Sequence, residues 1–103
     1  MTALLFLPQL PPQAVSIEGL RLPEAKSGLA AVPEPVPILL GCAPGLVDVL
    51  ASGLDYVAYS VFDCEGQANP TAMEAVAKVS GVSFDIDDED ALLRGPVLIV
   101  TRD

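Results

Sequence analysis

Segment 36–66 constrains the fold more than any other part of this chain, because it predicts a strand, a helix and a second strand in quick succession. The first strand is expected to end at Gly41, where Pro44 then opens a helix that Gly53 closes. Residues 56–62 are rich in aromatic and β-branched side chains, which favours a strand. The pattern predicts a right-handed crossover between neighbouring parallel strands, with a helix whose apolar stripe is Leu46, Val47, Val49 and Leu50.

The remaining elements complete a small domain around this crossover. Further short strands are expected, the first two forming a hairpin, at 3–7, 14–20, 82–86 and 97–101. Asn69 caps a second helix, Pro70 opens it and Gly81 closes it, and a short helical turn is expected at 87–94. A chain of 103 residues has room for one core. The sequence therefore predicts a single α/β domain with a mixed sheet of about five or six strands, two helices and a short third helical turn.

Residues 21–37 form a proline-rich loop or arm in this interpretation. Prolines at alternate positions near its end disfavour both a helix and a central strand. Irregular segments of this length are uncommon inside compact domains unless they have a function. We expect the arm to contact a protein partner or a second copy of the chain through Leu22, Pro23, Leu29, Val32, Pro33 and Pro35.

Charge and composition exclude several classes of partner. The chain has 14 acidic and 5 basic residues, a net charge of −9, and the basic residues are scattered. Nucleic acids and anionic lipids would repel such a surface, so neither is an expected partner. No stretch reaches the ~20 apolar residues of a membrane span, and the first residues lack the basic start of a leader peptide. We expect a cytoplasmic protein, or a virion component if the chain is of phage origin.

The two thiols mark the place where a ligand would be expected. In the predicted crossover both cysteines follow the carboxyl ends of strands, the usual site of ligands in open α/β sheets. A helix starting at Pro44 would direct main-chain N–H groups at an anion and stabilise a thiolate at Cys42. The candidate ligand-binding residues are Gly41, Cys42, Ala43, Gly45, Asp63, Cys64 and Glu65. The alternative is that each cysteine is a small apolar packing residue.

The residue types in this chain give little support for catalysis or metal binding. The chain contains no His, so a thiol–imidazole pair and the commonest metal ligand are both missing. The acidic run at 85–90 lacks the central Gly and the Glu at the twelfth position of a calcium loop, and it suits a helix start. We expect no metal, no cofactor and no catalytic residue, and an enzyme is the less favoured class.

Three functions remain as hypotheses. The favoured one is a non-enzymatic protein-binding or assembly subunit, forming a homo-oligomer or part of a multi-subunit particle such as a phage or viral structure. Its basis is the hydrophobic content of 51%, high for so short a chain, together with the proline-rich arm. The second is a small-ligand or anion-binding domain with a thiol at the Cys42 turn. The third is an acidic inhibitor or antitoxin-like decoy of a basic protein.

Overall fold

The computed structural model describes residues 1–22, 32–62, 64–81 and 92–102. Within these ranges the chain forms five strands, two α-helices and one 3₁₀ turn. In chain order they are β1 (Thr2–Phe6), β2 (Gln13–Val15), α1 (Pro35–Leu40), the 3₁₀ turn (Pro44–Leu46), β3 (Val47–Ser52), β4 (Tyr56–Val61), α2 (Pro70–Ser80) and β5 (Val97–Thr101). The expected strand at 82–86, the first part of the expected helical turn at 87–94, and Pro23, Leu29 and Asp63 lie outside the described residues.

The strands form one antiparallel sheet in the order β2-β1-β5-β4-β3. The last strand in the sequence, β5, is the central strand of the sheet. Residues 97–100 of β5 are all buried, and their uninterrupted Val-Leu-Ile-Val sequence suits a strand that is covered on both faces. β1 and β2 pair as the predicted hairpin, with Ala3 opposite Val15.

Helix α1 covers one face of the sheet. Val36 and Leu40 of α1 and Leu20 from the loop after β2 pack against alternate residues of the strands. The strand residues of this cluster are Ala3, Leu5, Val57, Tyr59, Leu98 and Val100. An isolated helix of six residues is unstable in water. Burial against the sheet, worth roughly 1.5–3 kcal/mol for each large apolar side chain, therefore holds α1 in place.

Tyr59 makes the stability of this cluster sensitive to alkaline pH. Its side chain is only 2% exposed, and burial raises the pKa of its hydroxyl, while the positive charge of Arg21 opposes that rise. The folded state therefore keeps a proton that the unfolded state loses near pH 10. Stability is fully present below that pH and falls as the pH rises through the raised pKa.

We expect Tyr59→Phe to remove this alkaline loss. In the pH range between the pKa values of Tyr59 in the unfolded and in the folded state, the free energy of unfolding of the natural protein should fall with rising pH. This fall should exceed that of the variant by up to about 1.4 kcal/mol per pH unit. Urea unfolding of both proteins from pH 8 to 11.5 measures the difference. Parallel pH profiles would contradict the prediction.

Helix α2 covers the other face. Ala72, Met73 and Val76 are its buried residues, and Ala72 and Val76 join a cluster with Phe6, Ala58, Val97 and Ile99. The predicted ends are confirmed. The Asn69 side chain accepts a hydrogen bond from the Ala72 N–H, Pro70 begins the helix, and Gly81 follows it in the left-handed conformation.

The expected strand–helix–strand order of segment 36–66 is wrong. Residues 35–40, expected to be loop and strand, form α1, and residues 47–52, expected to be helix, form β3. Pro35 and Pro37 lie in the first turn of α1, where main-chain N–H groups have no helical partner, so proline is tolerated there. Val47 and Val49 alternate with Asp48, and so short an apolar run fits a strand as well as a helix.

The sheet is antiparallel where a mixed sheet was expected. β3 and β4 form a hairpin, so the parallel crossover does not exist. The strand expected at 14–20 is short, because residues 16–20 turn away from β1 after Val15. The α/β class and the small single domain are confirmed, and so, within the described ranges, are the numbers of strands and of helices, although α1 and β3 differ from the elements expected at their positions. The short third helical turn is at Pro44–Leu46, and residues 92–94 of the segment where it was expected are not helical.

Candidate functional site

Cys42 lies at the end of a helix and not at the start of one. The Gly41 N–H donates to the Ile38 carbonyl at 3.2 Å, and the Cys42 N–H donates to the Pro37 carbonyl at 3.0 Å. With Gly41 at φ +71°, this is the Schellman motif that closes a helix. The residue after the glycine often makes an apolar contact there, and Cys42 packs against the α1 cluster.

This position removes the physical basis for an anion site at Cys42. The carbonyl end of a helix carries partial negative charge and does not favour a thiolate or a phosphate. Ala43, just before the 3₁₀ turn, and Gly45, within it, are both exposed. The packing alternative therefore describes Cys42 better than the ligand hypothesis does.

The side chain of Cys64 lies against two glycines, Gly66 and Gly95. The Gly66 N–H donates to the Cys64 Sγ at an N···S distance of 3.4 Å. A Cβ atom on Gly95 would lie 2.5 Å from this sulfur, and one on Gly66 would lie 3.3 Å from it. The thiol thus occupies space that these glycines leave open, while Glu65 is exposed to solvent.

The two cysteines lie at the same end of the sheet, because Cys42 precedes β3 and Cys64 follows β4, its antiparallel neighbour. Both are free thiols. Among the described residues, no group of three or more Cys, Asp or Glu could hold a metal ion. The loops that contain Cys42 and Cys64 therefore lie at one end of the sheet because β3 and β4 form a hairpin, and the expected crossover is absent. Cys42 packs against the α1 cluster, whereas Cys64 packs against Gly66 and Gly95.

Asn69 has a role that the sequence did not predict. Its Nδ2 donates to the Phe6 carbonyl at 2.9 Å and to the Gly95 carbonyl at 2.8 Å, and the side chain is fully buried. The same side chain caps α2 through its Oδ1. Asn69 therefore joins the end of β1, the start of α2 and the turn before β5. An N-cap asparagine was visible in the sequence, but the distant carbonyls were not.

The residues expected to form the partner-binding arm have mixed environments. Leu22 packs against the α1 cluster, Pro33 is buried and Pro35 begins α1. Val32 is 36% exposed and lines an open groove of about 740 Å³ with Ile38 of α1. The groove borders the range 23–31, which lies outside the described residues, and contact with a partner stays a prediction.

The outer side of β3 is unpaired within the described sheet. The Phe62 N–H donates to the Leu46 carbonyl at 2.7 Å, and Asp48 pairs with Ser60 further along the strand. Hydrogen-bonded and non-hydrogen-bonded pairs alternate in an antiparallel ladder. The main-chain groups of Asp48 therefore point towards β4, and those of Val49 point outwards.

This regular edge is short. The Val47 carbonyl also points outwards, while its N–H donates to the Pro44 carbonyl of the 3₁₀ turn. On the other side a bulge shifts the register between Val49 and Ala51. Bulges and short strands are the devices that limit unwanted pairing at sheet edges. Here they leave three residues, 47–49, in a regular geometry.

Apolar side chains surround this edge. Phe62 is 64% exposed, Leu46 is 43% exposed and Val49 is 37% exposed. Leu54, at the turn of the same hairpin, is 63% exposed. Alternation places Phe62 and Leu46 on the same sheet face as Asp48 and Ser60. An aromatic side chain left this exposed beside an unpaired strand is typical of a contact surface.

Asp48 is the charged residue of this edge. Its side chain is exposed, and no cation within the described ranges forms a salt bridge with it. Arg102 contacts Asp55 at 3.5 Å, near the opposite end of the hairpin. The regular part of the edge therefore combines outward main-chain groups, apolar side chains and one carboxylate.

Comparison with known proteins found no matching family model, no similar curated protein and no similar solved structure. Of the helices in the described ranges, none has the length and apolar character that crossing a bilayer requires.

Proposed function

We propose that this chain is a non-enzymatic protein-binding subunit that takes up an extended segment of a partner along β3. The observation that carries the proposal is the outer side of β3, which no other described strand pairs with, beside the exposed ring of Phe62. In strand addition, main-chain hydrogen bonds provide affinity and neighbouring side chains provide specificity. Membership of a larger assembly, and a cytoplasmic or virion location, stay predictions.

The energetics support a specific contact of moderate strength. Each main-chain hydrogen bond to a partner strand contributes about 1 kcal/mol net. Covering the exposed part of Phe62 contributes roughly 1.5–2 kcal/mol more. The bulge and the 3₁₀ turn restrict the number of such bonds, so the flanking apolar side chains carry much of the affinity.

Capture from cells of the source organism, with edge variants beside the natural protein, tests this function. Val49→Pro removes an outward N–H without removing a bond to β4, and Phe62→Ser removes the aromatic contact. Leu10→Ser is the matched control, because Leu10 is 49% exposed in the turn between β1 and β2, at the opposite edge of the described sheet from β3. Thermal unfolding of each variant checks that the fold is retained.

We expect the natural protein and Leu10→Ser to retain the same partner, and both edge variants to retain it at least about tenfold less, as the loss of about 1.4 kcal/mol implies. A partner retained equally by all four proteins would contradict docking at β3. So would the absence of any protein held specifically by the natural chain.

A further inference from the structure

We infer that Asp48 sets the specificity of the β3 edge: it rejects a second copy of this chain and accepts a partner strand that places a lysine or arginine opposite it. This inference rests on the proposed function and names the chemistry of the partner. It follows from the register that the edge permits, from the charge of the chain and from the side chains around Asp48.

The geometry leaves one regular register for pairing between two copies. The 3₁₀ turn ends the edge before Val47, and the bulge interrupts it after Val49. The outward groups of these two residues would meet across a two-fold axis, with Val47 of one copy opposite Val49 of the other. A slip of one residue would turn every side chain to the wrong face.

In that register Asp48 of one copy lies directly opposite Asp48 of the other copy. The pair is of the non-hydrogen-bonded kind, in which facing Cα atoms are only about 4.5 Å apart. Like charges directly opposite one another destabilise a strand pair, and the net charge of −9 on each chain adds a longer-range repulsion. The carboxylate therefore acts against edge-to-edge pairing, as inward or exposed edge charges commonly do.

The same carboxylate stabilises pairing with a partner strand that carries a positive charge at this position. A cation opposite Asp48 would form a cross-strand ion pair. On the same face, two residues along, an apolar side chain of the partner would cover Leu46 and Phe62. Opposite Val49, on the other face, a second apolar residue fits. The expected partner segment is thus extended, apolar at these positions and basic in the middle.

The Asp48→Lys variant of this chain is a ready probe of that chemistry, because it presents the same edge with a cation at the central position. In a titration of ¹⁵N-labelled natural protein with unlabelled variant, lysine and aspartate would face each other in the register described above. Glu74→Lys is the matched control, since it makes the same change of charge at an exposed position of α2.

We expect Asp48→Lys, at concentrations up to about 1 mM, to shift the amide signals of residues 46–49 and Phe62, and raised salt to weaken the effect. Natural protein and Glu74→Lys, used as titrants, should shift them at least about tenfold less at equal concentration. Equal shifts with the control, or none with Asp48→Lys, would overturn the inference. Pairing of the natural protein with itself through β3 would overturn it too.

The capture experiment separates this inference from the proposed function. A partner lost with Val49→Pro and with Asp48→Lys, but kept with Glu74→Lys, would support both. If Asp48→Lys retained the partner that Val49→Pro loses, docking at β3 would stand and the role of Asp48 would be overturned.

Discussion

Replacing Asn69 by aspartate is expected to lower the free energy of unfolding by roughly 3–5 kcal/mol, although only one amide group becomes a carboxyl group. The acceptor that caps α2 would remain. The two donors to the Phe6 and Gly95 carbonyls would be lost, and a carboxylate oxygen would face those carbonyl oxygens in a fully buried site. The total free energy of unfolding of a native protein is only about 5–15 kcal/mol, so the variant should be close to unfolding.

Urea unfolding at pH 7 measures this loss, and Gln67→Glu is the matched control. Gln67 is exposed, so the same amide-to-carboxyl change there should alter stability by less than about 0.5 kcal/mol. The deficit of Asn69→Asp should shrink towards pH 4, because a protonated carboxyl group can donate to one of the two carbonyls and the buried site favours the neutral form. A deficit similar to that of Gln67→Glu would contradict the structural role of Asn69.

Replacing Gly95 by alanine is the second change with a large expected effect, about 3 kcal/mol. Gly95 has φ +73°, and a left-handed residue with a Cβ atom costs about 1–2 kcal/mol. In addition, the new Cβ would lie 2.5 Å from the Cys64 Sγ, and such overpacking costs about 1–3 kcal/mol. The thiol or the turn before β5 would have to move.

Gly41→Ala isolates the backbone part of this cost. Gly41 has nearly the same φ, +71°, and a Cβ atom there would meet nothing within 4 Å. We therefore expect Gly41→Ala to cost only about 1–2 kcal/mol in the same unfolding assay. The difference between the two glycines measures the contact with the thiol.

A double-mutant cycle with Cys64→Ala tests that assignment. Without the sulfur, the nearest remaining atom to the new Cβ at Gly95 is the Cys64 Cβ at 3.5 Å, an ordinary contact. The cost of Gly95→Ala in this background should fall to the level of Gly41→Ala, which is a coupling of about 1–2 kcal/mol. If the losses in free energy of unfolding of Gly95→Ala and Cys64→Ala were additive in the double variant, the thiol would not occupy the space beside Gly95.

Local signals predicted several elements correctly because each signal acts within a few residues. The cap and proline at the start of α2 satisfy that helix's own N–H groups. The uninterrupted apolar run of β5 is typical of a strand buried on both faces. The period of two in segment 56–62 predicts Val57 and Tyr59 on one face and Ala58 on the other, and the two clusters confirm that division.

Segment 36–52 could not be predicted in the same way. Its apolar runs are short, and runs of that length fit the helical and the strand period about equally. Pro35 and Pro37 argued against a helix only on the assumption that they were inside it, and they are in its first turn. The bulge after Val49 further obscures the strand period.

The candidate site depended on the same assignments. Cys42 was expected at a helix start and lies at a helix end, so the expected electrostatics reverse. The β3 edge became visible only once β3 was known to be a strand and to lie last in the sheet. In the sequence Asp48 is one of 14 acidic residues, and only its position on that edge distinguishes it from the others.

The sequence by itself determined the class of this protein: a single acidic α/β domain with an N-terminal hairpin, a capped second helix and a strand at 97–101. Those features follow from local propensity, capping and apolar patterning. Only the tertiary structure decided that β5 lies at the centre of the described sheet, that Asn69 bonds to a carbonyl 63 residues away and that no described strand pairs with the outer side of β3. Strand order and long-range hydrogen bonds depend on which surfaces meet in the folded chain, and no local pattern encodes that pairing.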